Sequence, residues 1–316
     1  MDTNKFVQIY EMILISIGIL ASFILLYKLF RLLRLFVIFS LSKYYAVDLK
    51  NYGEWTVVTG GNSGIGKSYA LQLAQRGMNV LIVGRKLDTL KQTKKEIQDN
   101  YRVQCEYLQI DFTENENIYT KLKQQLEDRN VGILVISAGI IGNAPCYFLE
   151  ETHENVIAMI QLHIRAVVKM VDLVIRSMLA KQSGAVVIVS SASSKYPESL
   201  MSVYASCKAF SDHFGRAISW EFRKHDVHVQ SLVPYYVSTN MIKSFEKYLG
   251  PLRYFIFSSD EFSKSAVNTI GIHNYTTGHW KHELLSILLS FLPNFLRAHI
   301  GKNISEAIRF KRLKNY

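Results

Sequence analysis

Cysteine is scarce in this chain: three in 316 residues, Cys105, Cys146 and Cys207, at wide spacings. Such a set supports neither a disulfide framework nor a zinc or other metal site, and a reducing compartment is its natural setting. Internal repeats and low-complexity linkers are also missing, which leaves one large domain with a small appendage. No arginine-rich run is interleaved with aromatics, so the net charge of +11 gives no reason to expect nucleic acid as a partner. Much of the positive excess lies instead near two hydrophobic ends, which points to a membrane surface.

The first of those ends, Met12 to Tyr27, is free of charge, and its apolar character begins at Phe6, broken only by Gln8 and Glu11. Sixteen helical residues reach about 24 Å, short of a bilayer core of about 30 Å. Extending the helix back to Phe6 and letting Lys28 snorkel gives a span. Lys28, Arg31 and Arg34 then recur every three residues beside apolar neighbours, an interfacial continuation that makes residues 1–45 an anchor. Positive charge is denser after the span than before it, which puts the bulk of the chain in the cytosol. A cleaved signal peptide fits less well, since the basic n-region is thin and no small-x-small site follows. A buried core helix is the third option.

From Glu54 the pattern becomes short apolar runs alternating with charged helical stretches. Runs at 55–59, 80–83, 105–110, 133–136, 185–189 and 227–233 read as buried strands, with amphipathic helices near 65–77, 86–100, 115–128, 152–181 and 203–224. Parallel neighbours need crossovers, so this alternation predicts an α/β fold with a doubly wound parallel sheet of the Rossmann type. The first strand runs into Thr59-Gly60-Gly61-Asn62-Ser63-Gly64-Ile65-Gly66 and a helix begins at once. Glycines allow the tight turn and close backbone approach, and the helix N-terminus offers free N–H groups to a pyrophosphate. After the second strand stands Gly84-Arg85-Lys86 in place of the carboxylate that would accept the ribose hydroxyls of NAD. A basic residue there suits the 2′-phosphate of NADP, although it also fits a solvated helix start. Asp111, at the end of the third strand, either accepts from an adenine amine or serves as a cap.

Further on, Tyr204 and Lys208 are four apart and share one face of a predicted helix, with serines at 190, 191, 193 and 194 upstream. A phenol ionises near pH 10, but an ammonium about 4 Å away at an effective dielectric near 20 contributes roughly 4 kcal/mol and lowers that value by about 3 units. That would equip Tyr204 for general acid/base work near neutrality. Alone, the pair also fits an ordinary amphipathic helix.

Together, Thr-Gly-x-x-x-Gly-Ile-Gly at 59–66, Asp111, Ser191 and Tyr204-x-x-x-Lys208 resemble the short-chain dehydrogenase/reductase family over about residues 50–280. Tyr52-Gly-Glu-Trp55, the stretch Asp226 to Thr239 and the leading apolar segment resemble its membrane-bound branch. That branch holds the very-long-chain 3-oxoacyl-CoA reductases and the 17β-hydroxysteroid dehydrogenases types 3 and 12. The stretch from Thr276-Thr-Gly-His-Trp280 onward is most similar to hydroxysteroid dehydrogenase-like protein 1.

The resemblance implies NADP(H) as cofactor, held by Gly60, Asn62, Ser63, Gly64, Ile65, Gly66, Arg85, Asp111 and Gly139. Tyr204 would donate a proton to a carbonyl whose oxygen Ser191 also binds, and those two would contact the substrate. Lys208 would lower the tyrosine pKa and bind the nicotinamide ribose, while Val237 and Thr239 would lie near the nicotinamide amide and phosphates. The implied substrate is a hydrophobic small molecule or acyl-CoA, and a homodimer through the helices near 152–181 and 203–224 is usual in the family. Two departures stand out. The family's Asn-Asn-x-Gly is Ile136-Ser137-Ala138-Gly139 here, and a relay asparagine in the following helix is matched by His163. Histidine can carry protons, so His163 is either a relay member or a packed helix residue.

Residues 281–316 form the second hydrophobic end. Leu284 to Ile300 is broken by Pro293 and bears Arg297, a poor span but a reasonable substrate lid or membrane-dipping element. Arg312 and Lys314, near the C-terminus at Tyr316, resemble an endoplasmic reticulum retrieval signal, or are simply a solvated basic end; the mitochondrion is the alternative membrane. Two functions fit: an NADPH-dependent reductase of a lipid carbonyl, and a catalytically inactive nucleotide-binding scaffold.

Overall fold

Each of the six apolar runs forms a strand in the computed structural model, which describes residues 3–41, 46–114, 116–243 and 246–313. Lys314, one of the two basic residues near the C-terminus, falls outside these residues, as do positions 1–2 and 42–45 of the predicted anchor. In chain order the strands are β1 (Trp55–Thr59), β2 (Asn79–Gly84), β3 (Cys105–Gln109), β4 (Val131–Ile136), β5 (Gly184–Val189) and β6 (Val227–Leu232). Two-residue strands follow at β7 (Val237–Ser238), β8 (Phe257–Ser258) and β9 (Tyr275–Thr276). The main sheet is parallel throughout, in the order β3-β2-β1-β4-β5-β6-β9, and β7 pairs with β8 apart from it.

Side chains alternate across a strand, so each run feeds two cores. Val57, Leu81, Leu134 and Val186 point to one face, and Val58, Ile82, Val135 and Val187 to the other, all at most 1 % exposed. Helices cover both faces, as a parallel sheet requires. On the second face lie α2 (Gly64–Gln75), α3 (Leu87–Asn100) and α8 (Ser259–Val267), contributing Leu73, Ile97 and Phe262. On the first face lie α4 (Asn117–Glu127), α6 (Ala166–Ala180) and α7 (Ser202–Glu221), with Leu122, Met170 and Ile218. The predicted helix near 152–181 is three pieces: α5 (His153–Ile160), a π turn (Gln161–Arg165) and α6.

At the N-terminus, α1 runs unbroken from Thr3 to Leu41. Its apolar stretch Lys5–Phe30, 26 residues and unburied, is long and apolar enough to cross a membrane. At the other end, α9 (Trp280–Leu289) and α10 (Asn294–Leu313) meet at 119°.

The seventh strand of the main sheet, β9, escaped the sequence reading because two residues carry no periodicity. What fixes it is Gln230, fully buried in β6. Its amide donates to Thr269 O at 2.9 Å and His273 O at 2.7 Å, holding the turn that leads into β9. Gln230→Leu would strand both carbonyls without that donor and should cost about 1–3 kcal/mol of stability. Urea denaturation of the purified protein checks this, and an unchanged midpoint would show that β9 does not depend on the bridge.

Candidate active site

The glycine loop lies where β1 hands over to α2, at the C-terminal edge of the sheet. A Cβ on Gly66 would run into the carbonyl of Gly60, so the loop closes this tightly only with glycine at 66. Ser63 is the N-cap of α2 but makes no side-chain cap bond, leaving the first N–H groups of the helix free of a side-chain partner. Asn62 is fixed by donating to Thr89 Oγ1 at 2.9 Å, and its Oδ1 occupies the space that a Cβ on Gly84 would need, 2.6 Å away. Ile65 packs into the core beneath, and the Thr239 methyl lies against Gly64. These features fit a dinucleotide pyrophosphate: a backbone cradle, an open helix N-terminus and no side chain in the way.

Beyond the end of β2, Arg85 opens onto a cleft of about 630 Å³ lined also by Lys86, Gln109, Asp111 and Lys121. The Arg85 guanidinium is more than half exposed and 3.9 Å from the Asp111 carboxylate. Asp111 accepts from the N–H and hydroxyl of Thr113, at 3.0 and 2.8 Å. One carboxylate oxygen thus caps its own turn, while the other lies beside Arg85.

The next strand edges bring the remaining residues together. Thr59 Oγ1 accepts from the backbone N–H groups of Ser137 and Ala138, tying the end of β1 to that of β4. Gly139 follows, with the His163 ring directly behind it. His163 sits in the π turn, an element that recurs at functional sites. Its Nε2 lies 2.8 Å from the Ile140 carbonyl and 3.3 Å from the Ile140 N–H, bonding one or the other by tautomer, and its backbone carbonyl accepts from Ser211 Oγ at 2.7 Å. Burial, with the Lys208 charge adding to it, holds this imidazole at about 3. It is neutral at physiological pH, and the geometry favours the packed reading over the relay. Its ring meets that of Tyr204 edge-on at 5.6 Å and 86°.

Tyr204 lies in the first turn of α7 and Lys208 one turn on, both buried. Ser190 Oγ donates to the Lys208 carbonyl at 2.7 Å, and Lys208 Nζ donates to Val189 O at 2.9 Å. Ser191, at the start of a short 3-10 turn, accepts from Ser193, and its hydroxyl is near enough to Tyr204 to act on the phenol. One expectation needs correction. Burial pushes the Tyr204 phenol up to about 12, and the group that pulls it down is Ser191 rather than Lys208. The Lys208 ammonium is 5.9 Å from the Tyr204 ring centroid and is itself lowered to about 8 by burial. Desolvation penalises both charged forms and outweighs their attraction.

Val237, buried in β7, and Thr239 continue the same edge. Glu198, on the loop joining Ser191 to α7, is not among the expected site residues. Its charge is felt by both Tyr204 and Tyr236, and burial raises its carboxyl to about 7. The loop is held by Leu200, in left-handed backbone at φ 64°, whose carbonyl accepts from Cys146 N at 2.9 Å. A left-handed non-glycine residue is uncommon and tends to mark a functional site. The clue available was a lone acid between two polar site residues.

With this geometry in hand, the comparisons are direct. Residues 54–249 match the short chain dehydrogenase family model. The chain is 38 % identical to the very-long-chain 3-oxoacyl-CoA reductase of Macaca fascicularis, over 83 % of each protein. It is 33 % identical to the inactive hydroxysteroid dehydrogenase-like protein 1 of Homo sapiens, over 84 % of this chain and 80 % of that one. Among solved structures, a short-chain dehydrogenase from Sphingobium yanoikuyae in complex with NADPH superposes with a TM-score of 0.63 at 26 % identity, covering 69 % of this chain and 84 % of that one.

Glu198 gives a pH test. Its folded value lies above that of a free carboxyl, so the folded state keeps a proton that the unfolded chain loses as pH rises from about 4.5 to about 7. Wild type should therefore lose stability relative to Glu198→Gln across that window, with no further divergence above it. Melting temperatures of both proteins between pH 4.5 and 8.5 measure this, and parallel curves would contradict a buried carboxyl. The matching family model and relatives make the chain a member of the short-chain dehydrogenase/reductase family of oxidoreductases.

Proposed function

We propose that the chain reduces a lipid carbonyl with NADPH at the endoplasmic reticulum membrane, the substrate being a 3-oxoacyl-CoA or a 17-keto-steroid. The carrying observation is the grouping of Ser191 beside Tyr204, with Lys208 one turn behind, on the same sheet edge as the open glycine loop. NADPH, when bound, supplies the hydride. The chain's own residues do the rest. The loop 60–66 and the α2 N-terminus bind the pyrophosphate, Thr239 borders it, and Arg85 meets the 2′-phosphate as a charge-assisted donor. Ser191 and Tyr204 orient the substrate oxygen, and Tyr204 delivers the proton. A phenol held above neutrality keeps that proton until the developing alkoxide takes it. Lys208, braced by Val189, is the charge that compensates the phenolate left behind.

His163 acts as a positioning residue, its ring bracing the loop at Ile140 and the edge of Tyr204. That packed role also supports the second reading, an inactive scaffold, as in the human relative named inactive. Retention of Ser191, Tyr204 and Lys208 together favours the enzyme. The 26-residue apolar stretch of α1 supports anchoring, and the denser positive charge after it supports a cytosolic domain. Exposed Ile157, Ile160 and Phe210 on α5 and α7 support pairing of two copies through those helices.

Tyr204→Phe removes only the hydroxyl, so the fold and NADPH binding should persist while turnover falls about 10²–10⁴-fold. An NADPH-oxidation assay on detergent-solubilised protein with 3-oxoacyl-CoAs and keto-steroids tests this. Equal rates for wild type and variant with every carbonyl would hand the site to the scaffold reading. Arg85→Asp should invert the preference for NADPH over NADH, costing about 1.5–3 kcal/mol of NADPH binding. Titration of both nucleotides reads this out, and equal affinities in wild type would remove the basis of the assignment.

A further inference from the structure

The elbow between α9 and α10 carries apolar surface that its own domain does not cover. One side of the pair is in use: Leu285 and Ile287 are buried, and Ile304 and Ile308 pack with Ile242, Leu249 and Leu252. Around the bend, however, Leu288, Phe291, Phe295, Leu296 and Ile300 are 48, 45, 71, 38 and 43 % exposed. Single surface hydrophobics are ordinary, but five around one bend make a patch that calls for a partner.

What covers it follows from where it sits. Lys28, near the end of the apolar stretch Lys5–Phe30, donates to the Ser290 carbonyl at 3.1 Å. The same ammonium lies 3.8 Å from the centroid of the Phe291 ring. A lysine in the closing turns of a span carries its charge to the headgroup layer. Anything bonded to it lies at that depth. The elbow is therefore continuous with the lipid-facing surface of α1, and the neighbour available to Phe291 and Phe295 is lipid.

We propose that the α9–α10 elbow is a second membrane contact, seated at the headgroup–acyl boundary of the bilayer that α1 spans. Its inner face packs on Ile242, Leu249 and Leu252, which follow Thr239 in the chain. The inference rests on α1 being a membrane anchor, and its test keeps the two apart.

The full-length protein is reconstituted into phosphatidylcholine vesicles doped with a phosphatidylcholine bearing a photoreactive diazirine in its acyl chain. Labelled peptides are then mapped by mass spectrometry after irradiation. Labels in both α1 and residues 288–300 are expected, with none around Trp220, an exposed residue at the end of α7. The double variant Phe291→Ser/Phe295→Ser should lose the label at 288–300 and keep it in α1. Labelling confined to α1 in wild type overturns the inference and leaves the anchor standing. No label in either region overturns both. Labelling at Trp220 as strong as at the elbow also overturns it, because the patch would then have no preference for lipid.

Discussion

A lysine ammonium buried against one carbonyl is the constraint on which the site depends. Lys208 has three donors and no polar solvent to spend them in, so its place is set by the acceptor it finds, Val189 O at the end of β5. Ser190 closes the same junction from the other side by donating to the Lys208 carbonyl. Those two bonds fix the start of α7 over the end of β5, and with it Tyr204 over Ser191. An unsatisfied buried charge costs several kcal/mol, so the junction cannot slide without losing a large part of the domain's stability.

Legibility from sequence follows the range of the interactions involved. The strands could be read because burial on both faces writes continuous apolar runs, and the glycine loop because short-range sterics act within a few residues. Tyr204 and Lys208 could be paired from helical spacing alone. Other features depend on segments far apart in the chain. The partial burial of Glu198 follows from the packing around its loop, whose Lys195 donates to Ser286 and whose Tyr196 carries Arg297 at 3.8 Å. The upward shift of Tyr204 is likewise a matter of desolvation, invisible to a calculation that assumed a lysine about 4 Å away in a partly polar medium. The π turn at His163 has no local signature either, since the helical periodicity runs through it.

Thr276 to Trp280, noticed first as a resemblance, has a physical job. Thr276 pairs with β6 in the main sheet while its hydroxyl accepts from Gly278 N. His279 then caps α9 by accepting from Lys281 N, and His282, fully buried, donates to Phe255 O at 2.9 Å. Burial keeps both imidazoles near 4, so they are neutral and serve as hydrogen-bonding spacers. A sheet ends and a helix starts within five residues, and His282 just beyond them docks α9 on the turn before β8.

The two ends of the site are therefore built by different means. The cofactor end is a local construction of backbone, glycine and one helix terminus, which any relative with this loop reproduces. In the proposed reading the substrate end would be assembled from distant pieces, among them the Glu198 loop and the α9–α10 pair. Kinship to an active reductase and to an inactive homologue at comparable identity is what such a division produces, since most matched residues maintain the frame. The chemistry is decided by a few groups, and here Lys208 is held at the end of β5 by its bonds to Val189 and Ser190, close to Ser191 and Tyr204. A buried lysine is costly on its own, and an apolar residue at 208 would pack the same junction without that cost. Its persistence beside an intact serine–tyrosine pair argues for a site that still handles charge.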